Sequence, residues 1–79
     1  MKDLYSGPTK RSVMIAGHAT SISLEPLFWH ALKATAEARD LPLSALVARI
    51  DAERIAGADP PNLASAIRSW LFARALAAE

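Results

Sequence analysis

A chain of 79 residues with a formal net charge of +1 and no cysteine is expected to be one domain, without disulfide or thiolate-metal staples. At this size only about 60% of the unfolded surface is buried on folding, so association is the expected source of further core. Much of the 52% hydrophobic content is alanine spread among charged residues, and no apolar run approaches the roughly 20 residues of a membrane span. The N-terminus lacks the apolar stretch of an export signal, which makes the cytoplasm the expected location and a membrane partner unexpected.

The charges are unevenly placed. Lys2, Lys10 and Arg11 face a single acid, Asp3, before residue 25, so the amino-terminal part is the basic end, suited either to a polyanion or simply to water.

Residues 1–9, with Gly7 and Pro8 and little periodicity, are expected to form a flexible arm ahead of one folded unit over residues 10–79. From Arg11 the pattern turns β-like: Val13 and Ile15 alternate with Ser12, Met14 and Ala16, and further on Ser21 and Ser23 alternate with Ile22 and Leu24. The two apolar pairs have opposite parity, so a bulge or turn at Gly17-His18 must shift the phase. Residues 11–19 could thus extend a ribbon or fold back as a hairpin. A short strand over residues 20–24 that runs straight into a helix cannot satisfy its own edge groups, and the simplest donor of a second strand is an identical chain. A homodimer is expected on that ground.

Pro26 suits a first helical position, where its missing N–H would have been unpaired, and the first helix is expected to run to about Arg39. Phe28, Leu32, Thr35 and Ala36 share a face with Trp29 beside it, while His30, Lys33, Glu37 and Arg39 fall on the wet side. Asp40-Leu41-Pro42 breaks the pattern. A second helix restarts at Leu43, buries Leu46, Val47 and Ile50, and ends near Ala56, where Gly57 is placed to terminate it. After the stiff connector Ala58–Pro61, Asn62 is a plausible N-cap for a third helix carrying Leu63, Ile67, Trp70, Leu71 and Arg74.

Catalysis finds no support in these residues. His18 and His30 have no cysteine nucleophile beside them, no Gly-x-Ser-x-Gly turn or glycine-rich loop is present, and Glu25, Glu37 and Glu53 form no recognised acid-base arrangement. Neither an enzyme nor a cofactor is expected, and two histidines are too few to suggest a metal.

The run Lys10-Arg-Ser-Val-Met-Ile-Ala-Gly-His-Ala-Thr-Ser-Ile-Ser-Leu-Glu-Pro-Leu-Phe-Trp29, followed by Leu43-Ser-Ala-Leu-Val47 and Asn62-Leu-Ala-Ser-Ala-Ile-Arg68, resembles the ribbon-helix-helix superfamily of MetJ, Arc and CopG type. It is similar to a small bacterial subfamily with an added third helix. The resemblance implies a mainly α fold with one short strand, in which two chains pair their strands antiparallel into a ribbon that enters the DNA major groove. Ile22, Leu24, Phe28, Leu32, Leu46, Val47 and Ile50 would form the shared dimer core. Ala19, Ser21 and Ser23 would face the bases, and Lys10, Arg11, His18, Leu43 and Ser44 the backbone phosphates, the last two through the open amides of a helix start.

The implied function is transcriptional regulation through double-stranded DNA. Relatives often place Arg, Lys, Asn or Gln on the outward strand face, whereas serine reads bases ambiguously. An alternative is a dimeric adaptor that binds no DNA and docks a protein on the third helix through Trp70, Phe72 and Leu76. An antitoxin role lacks the polar tail that would fold on a toxin.

Overall fold

The computed structural model describes residues 4–78. Two strands, β1 (Thr9–Ile15) and β2 (His18–Leu24), are followed by helices α1 (Pro26–Ala38), α2 (Leu43–Ile55) and α3 (Leu63–Ala77). The arm expected over residues 1–9 falls partly on residues outside the described range, and its last member, Thr9, already belongs to β1.

β1 and β2 pair antiparallel within the chain, with Thr9 opposite Leu24, Arg11 opposite Ile22, Val13 opposite Thr20 and Ile15 opposite His18. The sequence expectation of a single strand that must borrow its partner from a second copy is therefore corrected: residues 9–15 supply it. Ala16 and Gly17 alone connect the strands, and both hold positive φ, +50° and +83°, as a type I′ hairpin turn requires. A two-residue loop also accounts for the parity change. Ile15 and His18 face each other across the turn, so odd-numbered β1 residues and even-numbered β2 residues share one side of the sheet.

That shared side buries Val13, Ile15, Ile22 and Leu24 against Trp29, Leu32 and Ala36 of α1, Leu46, Val47 and Ile50 of α2, and Ile67 and Leu71 of α3. Of the seven residues expected in a dimer core, six are buried within one chain and Phe28 is half-buried at the margin, so their burial needs no second copy. The core extends further than the periodicity indicates, because the extra strand closes over Trp29. The indole Nε1 of Trp29 donates to the Thr9 carbonyl at 2.9 Å, which pins the start of β1 to α1.

The helix ends follow from local chemistry. α1 closes with Asp40 at φ +57°, and the amides of Leu41 and Asp40 donate back to the carbonyls of Ala36 and Glu37, the paired bonds of a Schellman cap. Pro42 then starts α2 in extended geometry. The Asn62 side chain caps α3, accepting from the Ser65 amide at 2.8 Å. Arg54 holds the connector, bonding Asp51 at 2.8 Å and the Pro61 carbonyl at 3.1 Å. No helix among the described residues is long and apolar enough to cross a membrane.

Candidate nucleic-acid interface

Strand alternation gives the hairpin two different surfaces. The side away from the helices carries Lys10 opposite Ser23, Ser12 opposite Ser21 and Met14 opposite Ala19, and all six are exposed except Ser23, which is half-buried. Ala19, Ser21 and Ser23 therefore share the outward face that the sequence gives them. β1 adds Lys10, Ser12 and Met14 to it, residues the sequence does not place opposite them because the hairpin is left open there.

The type I′ turn bonds the His18 amide to the Ile15 carbonyl, and antiparallel pairs alternate between bonded and non-bonded. The outward-facing pairs are the non-bonded ones. Their side chains stand closest together, and their backbone groups point away from the hairpin along its two edges. On the β2 edge this exposes the amides and carbonyls of Ala19 and Ser21, while the Ser23 carbonyl accepts a long 3.4 Å bond from Arg68 Nη2.

The phosphate-binding set divides. Lys10 lies on the outward face, whereas its neighbour Arg11 turns to the helix side, its guanidinium 5.4 Å from the Trp29 ring centroid, a stacking distance that favours a cation over an indole. There Arg11 joins Pro26, Trp29, His30, Lys33 and Leu43 around a shallow cleft between β1, α1 and the start of α2. His18 is exposed at the hairpin tip, away from this cleft. Leu43 borders the cleft, and Ser44 follows it half-buried in the first turn of α2.

His30 and Lys33 are the contributions that sequence reasoning misses. On the helical wheel they belong to a solvated face, and only the packing of β1 and α2 against α1 brings them beside Arg11. Among the described residues no carboxylate lines the cleft. Pro42 provides no side-chain cap and the first turn of α2 holds no acid, so the amides of Leu43 and Ser44 remain open to an external acceptor in a field that favours negative charge. The guanidinium, the ammonium and the helix start thus border one cleft.

The acids lie elsewhere. From Leu4 to Leu24 the chain has none, and the first, Glu25, is engaged by Arg68, whose Nε donates to Glu25 Oε1 at 2.9 Å. That bond, with help from the backbone amide of Glu25 and the Arg68 charge, holds the carboxyl below the ordinary glutamate value. Across the molecule, Trp70 of α3 lies half-buried beneath the Arg39 and Arg74 guanidiniums at 5.2 and 5.0 Å, while Phe72 and Leu76 are 61% and 57% exposed.

A basic, acid-free hairpin carried on three helices, with a cleft bordered by Arg11, His30 and Lys33 where the second helix starts, defines a small ribbon-bearing helical domain. The chain belongs to the ribbon-helix-helix domain family, which it matches over residues 8–75. Domains of this family generally bind DNA in transcription regulators. No curated protein and no solved structure shows a significant match.

Proposed function

We propose that this chain is a sequence-preferring DNA-binding protein, a transcriptional regulator that acts as a homodimer. The observation that carries the proposal is the cleft in which Arg11, Lys33 and His30 meet the uncapped start of α2, on the flank of a hairpin without a carboxylate. Phosphate contacts there would set the register, and the outward face with Ala19, Ser21 and Ser23 would meet base edges. Lys10 would add a phosphate contact from the outward face.

Homodimerisation is supported by the open backbone groups of Ala19 and Ser21. Antiparallel addition of a second β2 strand there, centred on Ser21, would satisfy them and place two hairpins about a two-fold axis, matching a palindromic site. Four strands span about 14 Å between outer axes, wider than the ribbon that a groove of about 12 Å admits. The central β2 pair would then sit deepest, with β1 flanking it, Lys10 beside the phosphates and Met14, next to Ala19, within reach of the base edges.

The test is salt dependence. Three cations per subunit, Lys10, Arg11 and Lys33, give six phosphate contacts per dimer and a log-log slope of about −5. Alanine at both Lys10 and Arg11 removes four of them and flattens the slope by about 3 to 4. Binding that ignores salt, or selection from a random duplex library that enriches nothing, would count against DNA as the partner. A protein-docking role through α3 would then gain. It rests on Phe72 and Leu76, which stand exposed one turn apart, while Trp70 is half-buried under two arginines.

A further inference from the structure

We infer that the cross-strand pair Met14–Ala19 is the base-discriminating element of the hairpin, and that it selects thymine by packing against the C5-methyl group in the major groove. The inference rests on the DNA-binding function proposed above and names what that surface recognises.

The outward face holds three cross-strand pairs of different chemistry. Lys10 with Ser23 presents an ammonium and a hydroxyl, and Ser12 with Ser21 presents two hydroxyls. A hydroxyl rotates to donate or accept as required, so it satisfies the edge of any base, and an ammonium acts as a point charge for a phosphate or any acceptor. The serines distinguish no base pair with much force, and Lys10, which could read guanine, is the pair member assigned above to phosphate. Met14 with Ala19 can donate nothing and accept almost nothing. In the major groove one base alone offers an apolar group, the thymine methyl.

The exposure of Met14 fits that use. Its strand neighbours Val13 and Ile15 are buried in the core, yet Met14 is 57% exposed on a surface made, apart from its partner Ala19, of serines and a lysine. The pair is a non-bonded one, whose side chains stand close, and Ala19 is small enough to leave room beside the thioether chain for a methyl group. Methionine is unbranched and adapts to such a contour. The charge around it is complementary to DNA, since the hairpin contributes Lys10 and Arg11 and no acid.

Replacing thymine by deoxyuridine removes the methyl and leaves every hydrogen-bonding group in place, so the test needs no change to the protein. The tightest duplex from library selection is resynthesised with each thymine in turn replaced by deoxyuridine and titrated by fluorescence anisotropy. At one position per half-site, wild-type affinity should fall about fourfold, the worth of one buried methyl, and about 16-fold when both half-sites are changed.

Met14→Ala, which truncates an exposed side chain, should bind the thymine and uridine duplexes equally, while Met14→Leu should retain the preference. Tight binding by the wild type with no thymine preference at any position overturns the inference and leaves DNA binding standing. So does a preference that survives in Met14→Ala. A protein that binds no duplex overturns both.

Discussion

Replacing Ala16 by asparagine should stabilise this protein, although the side chain touches nothing in the core. Ala16 holds φ +50° and Gly17 φ +83°, and a left-handed conformation costs an ordinary L-residue about 1–2 kcal/mol. Asparagine tolerates that region, and Asn-Gly is the preferred pair for a type I′ turn, so Ala16→Asn should recover about 0.5–1 kcal/mol of the strain. For a domain of this length each kcal/mol moves Tm by about 4–8 °C, giving a rise of roughly 2–8 °C. The companion change, Gly17→Ala, should cost about 1–2 kcal/mol. A Cβ there would meet no atom within 4 Å, so the loss is backbone strain without a clash. Urea unfolding of the full chain, followed by far-UV circular dichroism, reads both variants, with an unchanged m-value showing that the endpoints are the same. If Ala16→Asn fails to stabilise and Gly17→Ala is tolerated, the turn is not left-handed and β1 does not fold back onto β2.

The Glu25–Arg68 contact predicts an acid-sensitive fold. Because the folded carboxyl binds its proton less readily than the unfolded one, its contribution is present at neutral pH and is lost as pH falls through the lowered folded value; Glu25→Gln should flatten that part of a series of urea midpoints taken from pH 7 downward. Removing the cap of α3 with Asn62→Ala, which deletes the 2.8 Å bond to the Ser65 amide, should cost about 0.5–2 kcal/mol in the same assay. Leu46→Ala, at a position with no solvent exposure, should cost about 2–5 kcal/mol. A loss under 1 kcal/mol there would mean that the helices do not close on the hairpin as described.

The three helices are legible because their ends are written in local chemistry: Pro26 at one start, Asn62 at another, and Pro42 and Gly57 at the breaks. The strand over residues 20–24 is equally plain from its alternation, and the structure extends it back to His18. The first strand is harder to place, since the usual Asn-Gly or Gly-Gly signal of a tight hairpin is missing and Ala16 fills a position that favours neither its side chain nor its φ. The parity change between Val13/Ile15 and Ile22/Leu24 is the surviving signal, for a two-residue turn inverts parity where a continuous strand keeps it. The cleft is the least visible feature. Arg11, Lys33 and Leu43 lie far apart in sequence, and His30 and Lys33 occupy an ordinary wet helix face until β1 is laid beside them. Trp29 shows the same dependence, since only the added strand gives its indole N–H the Thr9 carbonyl.

The most direct test of the proposed DNA interface is an amide chemical-shift titration of the full chain with its selected duplex at low salt. The largest perturbations should fall on Lys10, Ser12, Met14, Ala19, Ser21 and Ser23 of the hairpin and on Arg11, His30, Lys33, Leu43 and Ser44 around the cleft. Perturbations centred instead on Phe72 and Leu76 of α3, with the hairpin silent, would contradict it.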